Sequence, residues 1–268
     1  MTALREFPFP QFPHAVVVTG PDEVRWRHGE VQQTFRWASV TKLLSATAAL
    51  VAVERHLVDL DAAAGPDGAT VRHLLAHASG VAMDSDKTLG PPERRRIYSN
   101  RGIELLADHV ADATGTPFEE WLEDTVLVPL GLSSVVLDGS PAHGATGHAE
   151  DLAAFGRELL RPTLISADLH RAATTVAFPG LTGVLPGFGR QDPNDWGLGF
   201  EIRGSKSPHW TGSGNSPATF GHFGQSGSFL WVDPAADLAA AFLGAEAFGP
   251  WAAELWPGLG DAILTELA

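Results

Sequence analysis

The sequence contains no cysteine. Disulfides and thiolate metal sites are therefore excluded, and packing and hydrogen bonds must hold the chain together. Tyrosine occurs once, at Tyr98, and lysine three times, at Lys42, Lys87 and Lys206. Long apolar runs are missing too. The longest uncharged helical stretch, Leu43 to Val53, is too short to cross a bilayer and fits a core helix. The opening "MTALREFPFPQFPHAVVV" carries Glu6 and three prolines where a secretory leader needs an apolar run, which predicts a cytoplasmic protein. Positive charge is scarce. Eighteen Lys and Arg against 32 Asp and Glu leave a net charge of −14, which argues against nucleic acid or anionic membrane as a partner.

What is present describes a soluble globular chain: 268 residues, 44% hydrophobic and 19% charged, enough for one large domain with two lobes. "HAVVVTG" and "EVRWRHG" read as strands, and "VQQTFRW" as a third. Residues 60 to 175 read as helices with short connectors. Among them, Thr116 is expected to cap a helix with Pro117 at its first position and Glu119 closing a capping box. Residues 179 to 224 are loop-rich around one or two strands, including "WGLGFEIRG". "GSFLWV" and "LAAAFLG" form a hairpin, and the C-terminal helix is expected to break or kink at Pro257-Gly258.

One charge sits where a core helix would not want it. "ASVTKLLSATAAL" places Lys42 in the first turn of an apolar helix, where the helix dipole already presents positive charge. Ser39 lies three residues earlier, on the same helical face. As a plain structural feature, Ser39 is an N-cap. As chemistry, burial lowers the ammonium pKa, and a neutral lysine in contact with a hydroxyl can take its proton. Backbone N–H groups at that helix start would stabilise developing negative charge.

A second element is "YSN", residues 98 to 100, which joins the one tyrosine to one of three asparagines. A phenol beside a lysine is easier to ionise and can serve as general base, while Asn100 can orient the lysine or hold a carbonyl. Alternatively, Tyr98 is a core aromatic and Asn100 an N-cap. A third is "GHFGQSG", where Gly221 and Gly224 bracket His222 and Phe223 on a strand approached closely by a ligand. Its bland alternative is a bulged edge strand with an ordinary histidine. His73 and His77 have i, i+4 spacing but no acidic third ligand nearby, so no metal site is expected there. The run Arg94-Arg95-Arg96 reads as a solvated loop, and Trp196 and Trp210 read first as packing and second as pocket walls.

Taken in order, S-x-x-K, Y-x-N and the G-H-F-G strand resemble the serine β-lactamase and penicillin-binding-protein superfamily. The Y-x-N version is similar to class C β-lactamases, family VIII carboxylesterases and the D-amino-acid peptidases grouped with them. "HLLAHASGV" at 73–81 and "NDWGLGFE" at 194–201 also resemble family segments, so the similarity runs from about Phe35 to Leu243. The resemblance implies an α/β fold of the β-lactamase/transpeptidase type, an antiparallel sheet flanked by helices plus an all-helical lobe. The α/β lobe would comprise 1–60 and 175–268, and the helical lobe 61–174. It implies Ser39 as acylated nucleophile, Lys42 and Tyr98 as its proton partners, and Asn100 and His222 as substrate-binding residues. It further implies an oxyanion hole from the amides of Ser39 and Gln225, the latter just after Gly224, and no cofactor or metal. In β-lactamases a lysine and a hydroxyl residue stand where this chain has His222 and Phe223, and histidine is common among the esterase and peptidase relatives. The reading is therefore a serine hydrolase for small carboxylic esters or amides. D-amino-acid peptide or amide hydrolysis and weak β-lactamase activity are the alternatives within the enzyme class. A non-catalytic binding or scaffold protein on the same fold is the rival outside it.

Overall fold

The apolar runs at the two ends of the chain meet in one sheet. In the computed structural model, which describes residues 3–268, β1 (His14–Thr19), β2 (Val24–Gly29) and β3 (Phe35–Arg36) lead through a 3-10 turn, Ala38–Val40, into α1 (Thr41–Glu54). Helices α2 (Val71–Leu75), α3 (Asn100–Thr114), α4 (Phe118–Leu122) and α5 (Val128–Leu130) follow, the last two joined by a π-helical turn. Next come β4 (Val136–Leu137), β5 (Ala145–Gly147), α6 (Ala149–Leu160) and α7 (Ala167–Ala173). The hairpin β6 (Gly183–Leu185) and β7 (Gly189–Gln191) precedes β8 (Glu201–Ile202), β9 (Phe220–Gly224), β10 (Ser228–Asp233), β11 (Leu238–Gly244) and α8 (Pro250–Leu267).

Six strands pair antiparallel in the order β2-β1-β11-β10-β9-β8, so the first and last strands of the chain lie side by side at the sheet centre. Successive side chains along a strand point to opposite faces, and in the central strands both faces are buried. Ala15, Val17, Leu230, Val232, Ala239 and Ala241 enter the larger core, shared with α1 and α6. Val16, Val18, Phe229, Trp231, Ala240 and Phe242 enter a second core against α8. α1 is buried from Thr41 to Ala52, as expected for a helix apolar on every side. α3, α4 and the π-helical turn pack on α1, with Trp121 Nε1 donating to the Ala48 carbonyl at 2.9 Å.

Several local expectations are corrected. "VQQTFRW" contributes only the two-residue β3, which pairs with β5 rather than with the large sheet. α4 starts at Phe118 after Pro117, with no side-chain cap from Thr116. α8 runs unbroken through Pro257, because Trp256, Leu259 and Ile263 anchor both sides of it in the second core and packing offsets the lost backbone bond. α6 lies in the segment assigned to the helical lobe, yet it packs on β1, β10 and β11. Among the described residues, no helix is long and apolar enough to cross a membrane.

Candidate active site

The turn Ala38–Val40 carries Ser39 against the end of β9. Ala38 has φ 45°, a left-handed conformation that a residue with a side chain adopts only under constraint from its surroundings. Gly224 supplies that constraint. A Cβ there would collide with the Trp37 carbonyl oxygen and the Ser228 hydroxyl, so only glycine lets the strand reach the turn. Ser228 Oγ donates to the same Trp37 carbonyl at 2.7 Å and ties β10 to it. Ser39 does not cap α1: the residue before the helix is Val40, and no side chain caps it. The serine hydroxyl is thereby left for other partners.

Lys42, 1% exposed, provides one of them. Its Nζ lies 3.2 Å from Ser39 Oγ, 2.6 Å from Asn100 Oδ1 and 2.9 Å from the Ala142 carbonyl oxygen. The last two atoms only accept. A neutral amine keeps two N–H bonds, which the two amide oxygens take, and its lone pair then faces Ser39. Burial pushes the Lys42 pKa down to about 7, against the opposing pull of Asp84 and Glu104. Neither Asp84 nor the Ala142 carbonyl carries a recognisable sequence signal: one is a loop residue, the other a main-chain atom.

Tyr98 lines the same cleft as Ser39, with Lys42 Nζ 4.8 Å from its ring centre. The expectation that the lysine eases ionisation of the phenol is reversed. The protein packed around Tyr98 pushes its pKa above the ordinary tyrosine value, so a phenol and not a phenolate faces Ser39 at neutral pH. Asn100 is not an N-cap. Ser99 takes that role, accepting from Gly102 N at 2.8 Å, which leaves the Asn100 amide to bridge Lys42 and Asp84, donating to Asp84 Oδ1 at 2.7 Å.

Ser39, Tyr98, Asn100, His222 and Gln225 line one cleft of about 630 Å³, with Trp196 beside them. Lys42 lies behind Ser39, and Gly224 backs the turn. Among the described residues, the amides of Ser39 and Gln225 find no intramolecular acceptor, so both are available to an oxyanion. His222 is neutral: burial, then Lys42, pushes its pKa to about 3, and Nδ1 donates to the Phe223 carbonyl at 2.6 Å. Phe223 turns into the second core.

Other candidates fall outside the cleft. His73 closes the cap of α2 through Thr70 and stacks on Phe178, and His77 Nδ1 accepts from Ser99 N at 3.2 Å, holding the segment that bears Tyr98. Arg96 is not solvated. It is 3% exposed and donates to four carbonyls, of Ala76, Ala177, Phe178 and Asn194, clamping the Trp196 loop to the segment before Tyr98. Trp210 donates to Glu201 at 2.9 Å, inside a buried network with Lys206 and His209 that sequence reasoning missed. Scarcity was the available signal, since two of the three lysines are buried.

The profile of the beta-lactamase family matches residues 14–259. The chain belongs to the beta-lactamase family. Within that family, a beta-lactamase from Mycobacterium bovis is 55% identical over 99% of both chains, with a TM-score of 0.96. Simvastatin synthase (LovD) from Aspergillus terreus, in a mutant form, superposes with a TM-score of 0.76 at 17% identity, over 96% of this chain and 91% of that one. EstCE1, a hydrolase with promiscuous acyltransferase activity, gives 0.76 at 16% identity over 95% and 94%. At such identities these two share the β-lactamase/transpeptidase-like fold. No curated protein matches the chain in sequence.

Proposed function

We propose that the protein is a serine hydrolase that cleaves small carboxylic esters through an acyl-enzyme on Ser39. The observation that carries this reading is the placement of Ser39 Oγ 3.2 Å from a buried lysine whose other two hydrogen bonds go to pure acceptors. Neutral Lys42 takes the Ser39 proton as Oγ attacks the ester carbonyl carbon. The oxygen that gains charge sits between the Ser39 and Gln225 amides. As the tetrahedral species collapses, Tyr98 gives its proton to the departing alkoxide and regains one from Lys42. Water then attacks the acyl carbonyl, passes a proton back along the same groups, and releases the carboxylic acid and Ser39. Neutral His222 and apolar Phe223, in place of a cation and a hydroxyl, favour simple esters over β-lactams, whose carboxylate needs a counter-charge.

Exposure to a fluorophosphonate, followed by peptide mass spectrometry, is expected to place one adduct on Ser39 and none in Ser39→Ala. The same variant is expected to lose p-nitrophenyl ester hydrolysis by a factor of about 10³ or more. An unlabelled Ser39, with ester turnover unchanged in Ser39→Ala, overturns the reading.

A further inference from the structure

α2 ends in a turn that ordinarily carries glycine. His77 N donates to the Leu74 carbonyl at 3.2 Å and Ala78 N to the His73 carbonyl at 2.8 Å, the paired bonds that close a helix around a left-handed residue. That residue is His77, with φ 53°. Glycine takes this conformation freely, whereas a side chain crowds its own backbone there. The turn itself has no need of an imidazole, so the reason for the strain is sought in what the residue reaches.

Its carbonyl and its ring both serve the segment of Tyr98. The His77 carbonyl accepts from Ile97 N at 2.9 Å, and Nδ1 accepts from Ser99 N at 3.2 Å. Amides two apart on an extended chain point the same way, and His77 takes both, one on each side of Tyr98. A backbone amide only donates, so Nδ1 carries the lone pair and the ring proton is on Nε2. Burial, then Lys42, pushes the His77 pKa well below the ordinary histidine value, so at neutral pH no proton displaces the Ser99 bond. The ring, in a residue 2% exposed, has its centre 4.8 Å from that of Tyr98 and meets Trp196 edge to face at 4.6 Å. His77 thus holds Tyr98 by the backbone on both sides and by the ring, yet does not itself line the cleft.

We infer that His77 is a positioning residue for Tyr98, fixing the direction of the phenol and so the delivery of its proton to the departing alkoxide. The inference rests on the proposed ester hydrolysis and adds to it a residue that acts only through Tyr98.

The test compares two esters of one acid. Ethyl acetate releases an alkoxide that needs a proton to leave, and p-nitrophenyl acetate releases a phenolate that does not. In His77→Gly, the ratio of kcat/KM for the p-nitrophenyl ester to that for the ethyl ester is expected to rise about tenfold or more above the wild-type ratio. His77→Asn tolerates the left-handed conformation and carries an acceptor at the same δ position, so it is expected to bring the ratio back toward the wild type. The ratio is taken within each variant, so a general loss of rate cancels. Adding His77→Gly to Tyr98→Phe is expected to leave the Tyr98→Phe ratio unchanged, because the two act as one unit. If His77→Gly lacks the wild-type circular dichroism, His77→Ser, one atom too short to reach the amide, replaces it under the same expectations. Equal losses on the two esters, or an asparagine variant with as high a ratio as the glycine variant, overturn the inference.

A second measurement needs no turnover. Exchange of the Ser99 amide hydrogen, followed by ¹⁵N NMR, is expected to quicken about tenfold in His77→Gly and to stay slow in His77→Asn. That pattern without ester turnover by the wild type keeps the anchoring of the Tyr98 segment and removes the hydrolase. Wild-type turnover with a ratio unmoved in His77→Gly keeps the hydrolase and removes the positioning role.

Discussion

Lys42 works at a pKa set by two opposed surroundings. Packing on every side destabilises the ammonium, while Asp84 and Glu104 favour it, and the balance falls at about 7. The neutral amine is the form able to accept the Ser39 proton, so kcat/KM for a neutral ester is expected to rise as pH passes upward through about 7. Asp84→Asn tests the assignment. It removes a charge that raises the Lys42 pKa but leaves an amide oxygen that still accepts from Asn100. The acid limb is expected to move to lower pH with the maximal rate little altered, as read from a pH–rate profile. A limb that stays in place assigns it to another group. Tyr98 is tuned in the opposite sense, held protonated by its surroundings, so on the proposed assignment Lys42 and Tyr98 offer Ser39 a base and an acid at the same pH.

At the scale of elements, the site depends on how closely β9 approaches the turn that carries Ser39. Gly224→Ala inserts a methyl against the Trp37 carbonyl and the Ser228 hydroxyl, forcing strand and turn apart. Ester turnover is expected to fall by about 10²-fold, since small displacements of reacting groups are costly, while the far-ultraviolet circular dichroism is retained. Unchanged turnover would show that the approach is not needed. The same contact explains what was legible beforehand. The two glycines around His222-Phe223 announce a close approach, Lys42 stands out against an apolar helix, and the single tyrosine marks its own segment. The apolar runs of β1, β10 and β11 are equally plain. Other features depend on partners distant in the chain. Asn100 meets Asp84 only after the loop between them folds back, and the carbonyls that bury Arg96 come from three separate segments. The Pro257 break fails for a similar reason, because a proline penalty is local whereas the anchoring of Trp256 and Ile263 is not.

Across the whole molecule, the site draws on stability that the sheet supplies. The sheet joins the first strand to the last, and both its faces are filled, so the burial of Lys42 is imposed by a core that closes around it. The cost is set by pH. Below about 7 the lysine is charged in folded and unfolded chains alike, and folding bears the full desolvation. Between about 7 and the ordinary lysine value of 10.5 the unfolded chain binds the extra proton, so this contribution to stability improves as pH rises. The difference amounts to on the order of 5 kcal/mol. Lys42→Met removes the titration along with the Asn100 and Ala142 hydrogen bonds. Urea denaturation across that range is expected to show a flatter dependence of stability on pH in the variant than in the wild type. Parallel curves would mean that Lys42 is not the buried cation whose charge the fold opposes.

The lone tyrosine has a practical consequence of another kind. With one phenol in 268 residues, every tyrosine signal the molecule gives originates at Ser39's neighbour. Nitration, iodination or a phenolate absorbance band therefore reports on that one position without any engineered label. Because packing holds the phenol protonated, the phenolate band in an alkaline titration registers the opening of the cleft itself.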